Sequence, residues 1–172
     1  MHKHLTDVTI NNHKSYFNPD ICSHSYCSFA SSRGKIKYSI LSIGCYFARQ
    51  IDEVWLRIEL YRKVATKYQI TSFGAVRNFC NFSQVKTNNY FMDFLLNFGE
   101  KYIRNIRCPL SGNVTVNNLP TMLQISAAFL PPAEYLMSSV VSGDKSIKLK
   151  IVEFNISFTV IQNATYNVNY SA

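Results

Sequence analysis

Residues 54–62 read "VWLRIELYR". Every second residue is apolar, so an extended chain puts Val54, Leu56, Ile58 and Leu60 on one face and Trp55, Arg57, Glu59 and Tyr61 on the other. A helix would scatter the same residues around its circumference. The stretch is a half-buried strand, and the fold class depends on how much of the chain shares its texture.

Upstream, "KIKYSILSIGCYF" (35–47) alternates with Ile36, Tyr38 and Ile40 on one side, then changes parity to Leu41 and Ile43. Gly44 sits where a bulge or bend would fall. Downstream, "EYLMSSVV" (134–141) and "SIKLKIVEFNISFTVI" (146–161) flank "SGDK" (142–145), the Gly-Asp punctuation of a hairpin. In the second arm Ile147, Leu149 and Ile151 share one parity and Val152, Phe154, Ile156, Phe158 and Val160 the other, which places a bulge near Ile151. One segment differs. In "NNYFMDFLLNFGEKYIRN" (88–105), Phe91, Phe94, Leu95, Phe98 and Tyr102 recur at helical spacing, Thr87 or Asn88 can cap the start, and Asp93 lies near the favourable end of the dipole. Gly99 costs about 1 kcal/mol there relative to alanine, so this helix needs packing to hold it. The chain reads as mainly β with one helix at about 88–104. No Pro/Gly/Ser-rich linker and no repeat divides its 172 residues.

A chain of this length buries roughly 70% of its unfolded surface and can carry a core without staples. Charged residues make up only 16%, so something besides lysine and glutamate keeps the surface wet. Eighteen Lys and Arg against ten Asp and Glu give +8, which suits anionic partners in principle. The basic residues are dispersed, the densest group being Arg57, Arg62, Lys63 and Lys67, and no nucleic-acid motif accompanies them. No nucleic-acid partner is expected.

Five cysteines, Cys22, Cys27, Cys45, Cys80 and Cys108, leave one unpaired within the chain. Cys22 and Cys27 with His24 between them supply at most one knuckle of a zinc site, and Cys45, Cys80 and Cys108 stand alone. His2 and His4 form an H-x-H at a terminus, better read as a flexible end than as a metal site. A bridge between Cys80 and Cys108, which bracket the helical segment, would contribute about 3.5 kcal/mol by chain entropy. Five Asn-x-Ser/Thr acceptors occur, at Asn81, Asn113, Asn155, Asn163 and Asn169. About two or three are expected by chance from 16 Asn and 27 Ser plus Thr. Glycans would supply the missing surface polarity, and with the cysteines they point to an extracellular glycoprotein. The opening "MHKHLTDVTINNHK" has no apolar leader segment, and no stretch reaches the 18 apolar residues of a membrane span.

Catalytic machinery is not legible. There is no G-x-S-x-G, no P-loop and no G-x-G-x-x-G, and all four histidines fall within the first 24 residues. Asp52 and Glu53 are adjacent and would face opposite sides of a strand. No enzyme, cofactor or metal is expected.

The order "YCSFASSRGKIKYSI" (26–40), "IDEVWLRIELYRK" (51–63), "FCNF" (79–82), "IRCPLSGNVTVNNLP" (106–120) and "LPPAEYLMSS" (130–139) resembles an insect family of secreted proteins whose domain has no assigned function. That family is similar to the ML lipid-recognition superfamily, which includes the ganglioside activator protein. The resemblance spans about residues 20 to 160. It is most specific at Cys27 with Arg33, at Cys80, at Cys108-Pro109 followed by a glycine, and at Leu130-Pro-Pro-x-Glu-Tyr135. It implies a two-sheet sandwich or β-cup over residues 21–172, preceded by an N-terminal segment 1–20 that is irregular or an edge strand. It further implies that Cys80 pairs with Cys108, while pairing among Cys22, Cys27 and Cys45 stays open. We expect Cys22 and Cys27 each to have a disulfide partner, Cys45 being available, and His24 to be a surface loop residue. A leader is also implied, so this N-terminus is taken as truncated or misassigned.

The function implied is a secreted, non-enzymatic carrier of a lipid or other small hydrophobic molecule, with a chemosensory role and a receptor as possible partner. The inward faces of Val54, Leu56 and Ile58 would line its cavity, with Phe91, Phe94, Leu95 and Phe98 as lid. Arg57, Arg62 or Lys63 would meet an acidic headgroup at the mouth. The alternative is an extracellular protein-interaction domain with a filled core.

Overall fold

A computed structural model of the chain describes residues 6–31, 39–80, 93, 97, 100, 102, 103, 105–120 and 129–162. The described residues contain eight strands: β1 (Thr6–Phe17), β2 (Cys22–Ser31), β3 (Ser39–Ile51), β4 (Trp55–Val64), β5 (Lys67–Asn78), β6 (Leu110–Pro120), β7 (Ala133–Ser142) and β8 (Lys150–Gln162). They form two sheets, β1-β8-β7-β4-β5 and β2-β3-β6, with all neighbours antiparallel. The protein is thus a mainly β, two-sheet sandwich. Asp93, Asn97, Glu100, Tyr102 and Ile103 are helical, and the remainder of the helix expected at 88–104 lies outside the described residues.

Alternation along β4 is converted directly into packing. Leu56 opposes Val141 of β7, and Leu60 opposes Met137, so their face meets the second sheet. The intervening Arg57, Glu59 and Tyr61 form the outer face. In β8 the parity change is accommodated as expected: Val141 pairs with Val152 and Ser142 with Lys150, leaving Ile151 as the extra residue of a bulge. Both Ile151 and Val152 are buried.

The turn between β7 and β8 is organised by one carboxylate. Asp144 accepts the backbone N–H of Ser146 at 2.9 Å, of Lys148 at 3.1 Å and of Leu149 at 2.6 Å, together with the Ser146 hydroxyl. Gly143 N–H donates to the Leu149 carbonyl at 2.9 Å. These bonds hold Ile147 at φ 62°, a left-handed conformation that a β-branched residue does not adopt unaided.

Gly44 differs from expectation. The register runs unbroken through it, with Tyr26 on one side and Thr115 on the other, so it is not a bulge. Its missing side chain makes room for the Tyr26 ring, whose Cζ would lie 2.8 Å from an added Cβ. Tyr26 crosses β3 over this glycine and donates its hydroxyl to Asn117 Oδ1 at 2.9 Å. The irregularities fall instead between Leu41 and Ile43 and between Phe47 and Ile51.

The segment 1–20 supplies β1, the edge strand beside β8. Its Val8 is buried in the first of two core clusters, where Tyr135 stacks on Phe158 at 5.6 Å between centroids and Leu41 arrives from the opposite sheet. The second cluster joins Val54, Ile151 and Val152 of the larger sheet to Cys45, Phe47 and Leu110 of the smaller one. Each cluster draws on both sheets, which is what fixes them face to face.

The Asp144 carboxyl is held at about 2, first by the Ser146 hydroxyl and then by the backbone N–H groups. A free aspartate titrates near ~3.9, so the turn's stabilisation is complete above that value and is lost as pH falls from about 4 towards 2. Amide exchange at Lys148 and Leu149 is expected to accelerate over that window in the native chain. Asp144→Asn should flatten the dependence, and protection that stays constant down to pH 2 in the native chain would show that the carboxylate does not hold the turn.

Candidate ligand cavity between the sheets

Inward residues of β3 and β6 form one wall of a space between the sheets. Ile43, Cys45 and Phe47 alternate inward on β3, and Val114 and Val116 oppose Cys45 and Ile43 from β6. The opposite wall is Leu56, Val141 and Val152 from β4, β7 and β8, with Val54 just before β4. Phe17, Phe79, Ile106 and Leu110 complete the lining. The cavity measures about 130 Å³ and presents essentially hydrocarbon.

Two disulfides brace this end of the molecule. Cys22–Cys45 joins β2 to β3 with Cα atoms 5.2 Å apart, and Cys45 itself lines the cavity. Cys80–Cys108, with Cα atoms 5.5 Å apart, ties the chain after β5 to the chain before β6 and so staples one sheet to the other. Both pack against the second core. Paired cysteines suit an oxidising compartment, and no helix among the described residues is long and apolar enough to cross a membrane.

Cys27 corrects the expectation that it too is bridged. It is a free thiol opposite Ile43, packed against the first core with Phe29, whereas Cys22 and Cys45 belong to the second. Burial raises its pKa, and a hydrogen bond with Ser15 acts the other way. His24 is exposed on β2, in the irregular stretch between Cys22 and Ser25, rather than in a loop.

Of the cavity residues named from sequence, Val54 and Leu56 line it. Ile58 is half-buried further along the same face, outside the lining. Phe91, Phe94, Leu95 and Phe98 lie outside the described residues, as do Asn81, Asn163 and Asn169. The basic residues expected at the mouth sit elsewhere. Arg57 is on the outer face, bonded to Glu59 and to the Lys145 carbonyl, each at 3.4 Å. Lys63 is on the same face, 2.8 Å from Glu134, and Arg62 is exposed opposite Tyr135 at the other end of the sheet. The error was one of parity, because Arg57 and Lys63 alternate with the inward residues.

One inward cation went unread. Arg77 opposes the cavity-lining Leu56, its side chain only 9% exposed, and donates to Asp93 at 3.3 Å. The available signal was a lone charge in the apolar run "FGAVRNFC", which alternation does not assign to a side. The pair links β5 to the helical segment, where Asp93 is the countercharge.

A family described as "Protein of unknown function (DUF1091)" matches residues 56–137, from β4 into β7. No curated protein matches the chain.

Removing the Asp93 carboxylate strands a buried guanidinium. Asp93→Ala is expected to cost about 2–3 kcal/mol, or roughly 5–10 °C in Tm. Combining it with Arg77→Met should recover part of the loss, because no uncompensated charge remains. Calorimetry of the two variants checks this, and a double variant less stable than Asp93→Ala alone would contradict it.

Proposed function

We propose that the chain is a secreted, non-enzymatic binding protein for a small apolar molecule held between its two sheets. The observation that carries this reading is the hydrocarbon-lined cavity of about 130 Å³. Well-packed interiors leave few voids larger than a water molecule, and a void of this kind is destabilising unless something occupies it. An engineered core cavity of about 150 Å³ in another protein stays dry and takes up benzene or xenon, which sets the scale of the guest.

Magnitudes narrow the ligand class. About six carbons at ~0.8 kcal/mol each yield roughly 5 kcal/mol, a Kd of a few tenths of a millimolar. Tighter binding requires the sheets to part and admit more of the guest. The ligand is a compact hydrophobic molecule or the end of one acyl chain. A whole two-chain lipid does not fit the space in this conformation. Facing sheets with an apolar interior support kinship with the ML lipid-recognition superfamily; an insect chemosensory role is what that kinship would imply. Selectivity comes from shape, because Arg57 and Lys63 are paired on the outer face and Arg62 is exposed at the other end of the sheet.

Titration calorimetry with straight-chain alcohols of increasing length tests the reading. Affinity is expected to rise about fourfold per methylene and to level off near about six carbons, where the cavity is full. Val114→Phe, or Val114→Leu should the ring prove too large, is expected to abolish the series while leaving the disulfides formed. No saturable binding by the oxidised, folded chain would sink the proposal and favour an extracellular interaction domain.

A further inference from the structure

The outer face of the smaller sheet carries exposed aromatic rings. Tyr26 and Tyr46 are each 46% exposed, and His24 stands edge-on to Tyr46 at 6.3 Å between centroids. The register places Asn113 of β6 directly opposite Tyr46, so their Cβ atoms are about 4.5–5.5 Å apart. Asn113 is exposed and begins the acceptor triplet Asn113-Val114-Thr115. Thr115 shares its face, opposite Gly44, while Val114 points inward to line the cavity. Among the described residues β6 is an edge strand of its sheet.

The other described acceptor is built differently. Asn155 is half-buried on β8, between Lys14 of β1 and Ser138 of β7. Its Nδ2 donates to Glu153 at 3.0 Å, and its Oδ1 is buried. A glycan there would have to displace that contact and rise between two neighbouring strands.

We propose that Asn113 carries an N-linked glycan whose first sugar lies against the exposed ring of Tyr46. The donor is a lipid-pyrophosphate-linked oligosaccharide. The Asn113 Nδ2–C1 bond forms as the C1–O bond to phosphate breaks, the lipid pyrophosphate leaves, and one amide proton passes to a base, with no change in oxidation state. Transfer occurs on the extended chain, and folding then sets the sugar over the ring. The ring's negative π-face attracts the weakly positive C–H face of a pyranose, while its hydroxyls stay in water. The glycan covers an aromatic surface that would otherwise be bare, on a chain poor in charged residues. The inference rests only on the secretory part of the proposed function, not on the apolar ligand.

The test is the full chain passed through the secretory pathway of a eukaryotic cell, with intact mass and peptide mapping before and after peptide-N-glycosidase. Asn113 is expected to be occupied, and Asn113→Gln and Thr115→Ala to lose one glycan. Enzymatic deglycosylation should lower the native Tm by about 2–3 °C and leave that of Tyr46→Ser unchanged. Formed disulfides with a bare Asn113 would overturn the site alone, whereas five reduced thiols and no sugar would overturn the site together with the secretory reading. An equal Tm loss in the native chain and Tyr46→Ser would overturn the stacking.

Discussion

The cavity end depends on the Cys80–Cys108 bridge, the disulfide that joins the two sheets among the described residues. The strands of each sheet are held by their ladders, but the sheets are held to one another by side-chain packing, and packing is thinnest where the cavity lies. The apolar space there measures about 130 Å³, and its lining makes fewer contacts than a filled core would. A bridge closing 28 residues contributes about 3.5 kcal/mol by chain entropy. Cys22–Cys45 adds a second constraint, fixing the wall from which Cys45 faces the cavity.

Much of the fold was legible because alternation is a local property. The face of β4, the hairpin of β7 and β8 and the bulge at Ile151 were all written in parity. β1 was harder, since Asn11 interrupts its pairing with β8, and β5 likewise, since its register with β4 shifts between Glu59 and Tyr61. Gly44 was misread because a glycine in a strand signals either a bulge or a ring crossing overhead, and the crossing ring belongs to another strand.

The cavity was legible only in part. Parity assigns Val54 and Leu56 to the inside but does not say whether the inside is full. Val114, Val116 and Phe47 became lining residues through the order of the smaller sheet, which no single segment encodes. The Cys22–Cys45 bridge crosses the ladder diagonally, with Cys22 opposite Phe47 and Cys27 opposite Ile43, a placement that spacing does not encode. Charge followed the same logic: Arg57 and Lys63 sit outside with carboxylates, while Arg77 is buried against Asp93 of the helical segment.

The space bounded by Leu56, Val114 and Val152 is apolar and lies at the disulfide-braced end of the sandwich. A crystal of the oxidised chain equilibrated under xenon pressure tests it most directly. The account predicts one xenon site between those three side chains, reached without change in the disulfides. Repacked side chains filling the space, with no xenon bound there, would contradict it.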